Sequence, residues 1–143
     1  SVRDFLAGLD PEGKDIFNSN CEKLLSKINE LDSMANQLSS HAGKKPFMIY
    51  HPNLAYLARD YGLEEITVEA EGKEPSPSRL KDLIDRAKEE KIKIIMVQRE
   101  YDTKNAKAVA DEAGARIVVI DPLSEDWYSS TAGIIKIIGE SFE

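Results

Sequence analysis

Two side chains in this sequence could share a metal ion. His51 follows the apolar run Phe47-Met48-Ile49-Tyr50, and Asp121 follows Ile117-Val118-Val119-Ile120. An imidazole offers a neutral nitrogen and a carboxylate offers an oxygen, donor types that suit zinc or manganese. Two more apolar runs, Ile66-Thr67-Val68 and Ile94-Ile95-Met96-Val97, lead into Glu69 to Glu71 and Gln98 to Glu100. In an open α/β sheet, ligands bind beyond the carboxyl ends of the strands. If the four runs are strands of one such sheet, all these groups converge on one rim. His51 and Asp121 are then expected side by side, at neighbouring strand tips.

Plainer readings stand beside these. A histidine at a strand end is more often a hydrogen-bonded loop residue than a ligand. Asp121 precedes Pro122, a pairing that suits a turn or cap equally well. His41, just before Ala42-Gly43, reads as surface loop, and Tyr50, Tyr56, Tyr61, Trp127 and Tyr128 read as core and pocket wall. Other chemistries lack a signature. Gly62, Gly72 and Gly114 are isolated rather than gathered in a phosphate-binding loop. None of the serines lies in a strained strand-to-helix elbow pattern. The chain is read as a binding protein, not an enzyme.

The elements that must position the rim follow from hydrophobic periodicity. The four runs are short and apolar, as strands buried on both faces are. Between them lie helical segments: Ser76-Pro77 opens one carrying Leu80, Leu83, Ile84 and Ala87, and Thr103 opens one closed by Gly114. A last helix is expected from about Glu125 to Gly139. Ahead of the strands, Val2 to Leu9 reads as a helical segment that began upstream. Asp10 as N-cap and Pro11 at the first helical position then begin a long amphipathic helix to about Ser40. Its stripe runs through Phe17, Cys21, Leu24, Ile28, Leu31, Met34 and Leu38, so Cys21 is expected in the core. Strand and helix in alternation predict an α/β fold, a four-stranded mostly parallel sheet flanked by helices and preceded by the long helix.

Composition bounds the partners. The chain has 143 residues, enough for one domain with a substantial core. Its formal net charge of -7, with lysines and carboxylates interspersed, argues against nucleic-acid binding. The single Cys21 excludes an internal disulfide and a cysteine-based zinc cluster. No apolar stretch approaches the roughly 20 residues that cross a bilayer, and the first residues do not form a signal peptide.

Larger blocks resemble a known family. Met48-Ile49-Tyr50-His51-Pro52-Asn53-Leu54-Ala55-Tyr56-Leu57-Ala58-Arg59-Asp60-Tyr61-Gly62-Leu63 is similar to a motif of zinc and manganese ABC-transporter receptors, the ZnuA/TroA-like solute-binding proteins. There the motif is a strand, a metal-ligating histidine and a helix ending in Tyr-Gly-Leu. Glu71-Gly72-Lys73-Glu74-Pro75-Ser76-Pro77 resembles the next family signature, and Ile120-Asp121-Pro122-Leu123 the block carrying the last ligand. Leu9-Asp10-Pro11-Glu12, with Asn20, resembles the stretch after the family's inter-lobe helix. The family often has an acidic residue at the end of its third strand, where this chain has Gln98-Arg99-Glu100.

The resemblance implies a fold, a site and partners. Residues 1–143 would be a carboxy-terminal lobe, with 1–9 the end of the inter-lobe helix. His51 and Asp121 would be metal ligands, completed by two histidines of an amino-terminal lobe absent from this chain. The metal, as transported ligand, would be zinc, possible manganese being disfavoured by His51 where manganese-type members tend to carry Glu. The partners would be the ion, the missing lobe and a membrane ABC permease, with the receptor monomeric. Its location would be periplasmic, or extracellular and membrane-associated. A metal-free α/β interaction domain and a small metal-dependent hydrolase are the alternatives.

Overall fold

The computed structural model describes residues 1–43, 45–69 and 72–143, with backbone alone at His41 and Ala42. A single sheet of four parallel strands organises them: β1 (Pro46–Ile49), β2 (Glu64–Thr67), β3 (Ile94–Gln98) and β4 (Arg116–Ile120), in the order β2-β1-β3-β4. The helices are α1 (Val2–Leu9), α2 (Lys14–Ala42), α3 (Ala55–Asp60), α4 (Pro77–Glu89), α5 (Lys104–Ala113) and α6 (Trp127–Ser141).

The period of two along each strand sends alternate side chains to opposite faces. Met48, Tyr50, Ile66, Val68, Ile95 and Val97 meet Leu83, Ala87, Ala106, Val109 and Ala110 of α4 and α5. Phe47, Ile49, Ile94, Met96 and Ile120 meet Leu54, Ala58 of α3 and Ile134, Ile138 of α6 on the other face. The central strands β1 and β3 are buried throughout. The edge strands β2 and β4 are not: Glu64 and Arg116 are exposed, and so is Val119. Burial on both faces therefore holds only for the strands that have neighbours on both sides.

Punctuation residues act where the sequence placed most of them. The Ser76 hydroxyl accepts from Arg79 N at 3.3 Å, with Pro77 opening α4. Gly62, at φ +65°, ends α3 with Leu63 N donating to the Ala58 carbonyl at 2.8 Å, a closure that needs a left-handed residue. Asp10 differs from expectation. It follows α1, and its Oδ1 accepts from Gly13 N at 3.1 Å, so Asp10-Pro11 forms a turn and α2 starts later, at Lys14.

The stripe on α2 is covered only in part. Leu31 and Ala35 pack on Ile135 of α6, and Leu38 joins them. Leu24 and Ile28 are exposed and Cys21 is half-buried, so the expectation of a core cysteine fails. Length explains it: a helix of 29 residues is about 43 Å long, whereas strands of four or five residues span about 15 Å. The amino-terminal half of α2 overhangs the sheet. Tyr56 is likewise exposed rather than core, as Trp127 is at its edge, while Tyr50 is buried.

Candidate metal centre

The strand order 2-1-3-4 puts a topological switch between β1 and β3. From β1 the chain moves out to β2, and from β3 it moves out the other way to β4, so the connections part at this point. A crevice opens at such a place, beyond the carboxyl ends of the strands. His51 stands at the tip of β1.

The backbone of Tyr50, just before it, is held from two sides. Tyr50 N donates to the Met96 carbonyl at 2.8 Å, and Glu69 N donates to the Tyr50 carbonyl at 2.9 Å. Beyond that point Gln98 takes over from the backbone ladder. Its Nε2 donates to the His51 carbonyl at 2.7 Å, and its Oε1 accepts from His51 N at 3.4 Å. Gln98 is only 1% exposed, and a buried amide needs such partners. Where the resemblance leads one to expect an acid, the amide has a specific use. An ionised carboxylate has no hydrogen to offer the His51 carbonyl.

The ring of His51 is oriented by two further groups. Nδ1 lies 3.0 Å from Oε2 of the buried Glu69. An ionised carboxylate can only accept, so Nδ1 carries the hydrogen and the lone pair of a neutral ring sits on Nε2. One face stacks on Tyr101, with centroids 4.7 Å apart and planes 18° apart. Tyr101 in turn packs against Tyr50 at 5.6 Å. Below the loop, Glu65 of β2 accepts from Leu54 N at 3.1 Å and so caps the start of α3. Burial pushes the Glu65 carboxyl up, against the Leu54 N–H, which acts the other way.

Asp121 leaves β4. Its backbone carbonyl accepts from the Ser130 hydroxyl and from Ser124 N at 3.3 Å, fixing the turn before α6. Its carboxylate Oδ2 is 3.1 Å from Nη1 of Arg99. Asp121 is thus both a turn residue and the owner of an accessible carboxylate.

The two expected ligands are not on neighbouring strands. β3 runs between them, so the strand tips stand two interstrand spacings apart, roughly 10 Å. The β3–α5 connection joins them instead. His51 stacks on Tyr101 and Asp121 pairs with Arg99, and those two residues are separated by Glu100 alone. Among the described residues, no three His, Cys, Asp or Glu side chains gather as a metal cluster. Glu69 belongs to the rim as expected, whereas Glu71 lies outside the described residues, as does the side chain of His41. The roles of Gln98, Arg99, Tyr101 and Glu65 were not read from the sequence. A polar residue ending the otherwise apolar run 94–98 is the one signal that could have revealed Gln98.

Known proteins share this architecture. The family model described as "ZnuA: Zinc-uptake complex component A periplasmic" matches residues 1–136. The high-affinity zinc uptake system protein ZnuA of Bacillus subtilis (strain 168) is 29% identical over 139 residues, 94% of this chain and 44% of that protein. The zinc-binding protein AdcA of Streptococcus pyogenes serotype M3 is 34% identical over 125 residues, 86% of this chain and 24% of that protein. The chain therefore spans less than half the length of these relatives. A crystal structure of ZnuA superposes with a TM-score of 0.89 at 34% identity, covering 99% of this chain and 56% of that one.

Proposed function

This chain belongs to the family of zinc-uptake complex component A, and on that premise we propose that it is the carboxy-terminal lobe of an extracytoplasmic zinc receptor serving an ABC importer. Residues 1–143 make the lobe, and 1–9 end the helix that joins it to an amino-terminal lobe. The apolar face of α1, with Val2, Phe5 and Leu9 exposed, supports a covering partner there.

The single observation that carries the reading is the His51–Glu69 pair. A carboxylate that takes the Nδ1 hydrogen of a histidine fixes the tautomer, orients the ring and strengthens Nε2 as a donor, the arrangement behind metal-ligating histidines. Asp121 supplies a carboxylate oxygen on the same rim. In a zinc site, donors of these types lie about 2.0–2.2 Å from the ion. Two histidines of the other lobe complete a four-donor shell. Closure of that shell then couples capture of the ion to a lobe arrangement that the membrane permease recognises.

The cargo is transported unchanged. A catalytic zinc site holds three protein donors and an open position, and this rim offers His51 and Asp121. His51 favours zinc over manganese, since imidazole suits the softer ion and manganese prefers oxygen. The receptor acts as a monomer outside the cytoplasm, where the relatives' zinc has to be captured.

Calorimetric titration tests the reading. Zinc is expected to bind this chain weakly and the two-lobed receptor far more tightly, and to lose most of its affinity for both on His51→Ala or Asp121→Ala. Submicromolar binding by this chain alone, or indifference to both substitutions, sinks it.

A further inference from the structure

We propose that Arg99 is a built-in competitor for the metal, a guanidinium that holds Asp121 while the site is empty and gives it up on loading. The inference rests on the receptor reading and adds to it a means of limiting affinity and easing release. Three observations carry it. Arg99 Nη1 sits 3.1 Å from Asp121 Oδ2, the oxygen class the ion needs. The Arg99 side chain is 72% exposed against 26% for Asp121, so the arginine can swing into solvent while the carboxylate stays. The backbone of Arg99 is fixed by its N–H on the Ile120 carbonyl at 3.1 Å, which keeps the guanidinium within reach of Asp121 for recapture.

Charge argues the same way. A divalent ion at Asp121 faces the positive charge of Arg99 nearby, and both the competition for oxygen and the repulsion lower affinity. An exposed pair of this kind changes an equilibrium by only a few-fold, which is useful in a receptor that must also unload.

The test is a zinc titration of the chain and of its Arg99→Gln and Arg99→Lys variants, each also in an Asp121→Asn background. Arg99→Gln is expected to tighten zinc about two- to five-fold at low ionic strength, with the gain fading as salt screens the pair. Arg99→Lys stays near the parent, and in the Asp121→Asn background the gain from Arg99→Gln is clearly smaller, because only the charge repulsion is left to relieve. As a direct readout, the Arg99 Nε resonance moves towards that of a free guanidinium as zinc is added to the parent. Weakened or unchanged binding in Arg99→Gln overturns the proposal, as does an equal gain without the Asp121 carboxylate. A parent isotherm without zinc binding overturns the receptor reading itself, and with it this one.

Discussion

At the scale of single residues, the site is defined by how little freedom His51 has. Gln98 fixes its backbone, Glu69 its tautomer and Tyr101 its ring plane. Glu69 acts only through the imidazole, so its effect is separable from that of a ligand. Glu69→Gln keeps the shape but removes the charge that strengthens Nε2, and zinc affinity should fall by about ten-fold or more without loss of the bound stoichiometry. Calorimetry measures this. Nitrogen NMR of the zinc-free chain is expected to show the His51 hydrogen on Nδ1, and an Nε2–H tautomer would contradict the role assigned to Glu69. Acid should weaken zinc binding, because a proton on Nε2 competes for the lone pair the ion needs.

At the scale of elements, two tyrosines tie the long helix to the rest. The Tyr61 hydroxyl, at the end of α3, donates to Asp32 of α2 at 2.6 Å, and Tyr128 of α6 donates to Glu30 at 2.6 Å. The bond to Asp32, with burial and the charge of Asp32, pushes the Tyr61 phenol up to about 12. The folded state therefore favours the protonated phenol. The stability this contributes is complete below the ordinary phenol value of 10.0 and is lost as pH rises from there towards 12. Tyr61→Phe should flatten part of the fall in stability over that window, as followed by denaturant melts at successive pH values. A second element carries a removable cost. Lys91, at φ +55°, ends α4 in the left-handed region, with Ile92 N donating to the Ala87 carbonyl at 2.9 Å. Glycine fits that conformation without a Cβ clash, so Lys91→Gly should stabilise the chain by about 1 kcal/mol or less, net of its greater unfolded freedom. A thermal melt decides the sign.

At the scale of the whole molecule, the half metal shell proposed above should give a correspondingly small linkage to folding. Zinc that binds the folded chain stabilises it by RT ln(1 + [Zn]/Kd), about 1.4 kcal/mol at ten times Kd. The melting temperature of this chain should rise by a few degrees under those conditions, and His51→Ala should abolish the rise. The apolar surface of α1 and the overhanging half of α2 belongs to the same scale. Leu24 and Ile28 of α2 are about half exposed there, beside the exposed Val2, Phe5 and Leu9 of α1.

The sequence by itself determined the strands, their parallel run and the helix stop at Gly114. These are local properties: an apolar run of four or five residues, or a glycine where φ must be positive. Tertiary structure alone decided what surrounds them. Periodicity marked the apolar face of α2 from Phe17 to Leu38, yet only the length of the sheet sets where that face stops being covered. No local pattern states that β3 crosses to lie between β1 and β4, so the sequence put His51 and Asp121 on adjacent tips and the fold put a strand between them. Gln98, Tyr101 and Arg99 acquire their roles from that crossing. It carries Gln98 to a partner 47 residues away and Tyr101 to one 50 away, both at His51, and Arg99 to one 22 away at Asp121, contacts that exist only once the sheet has formed.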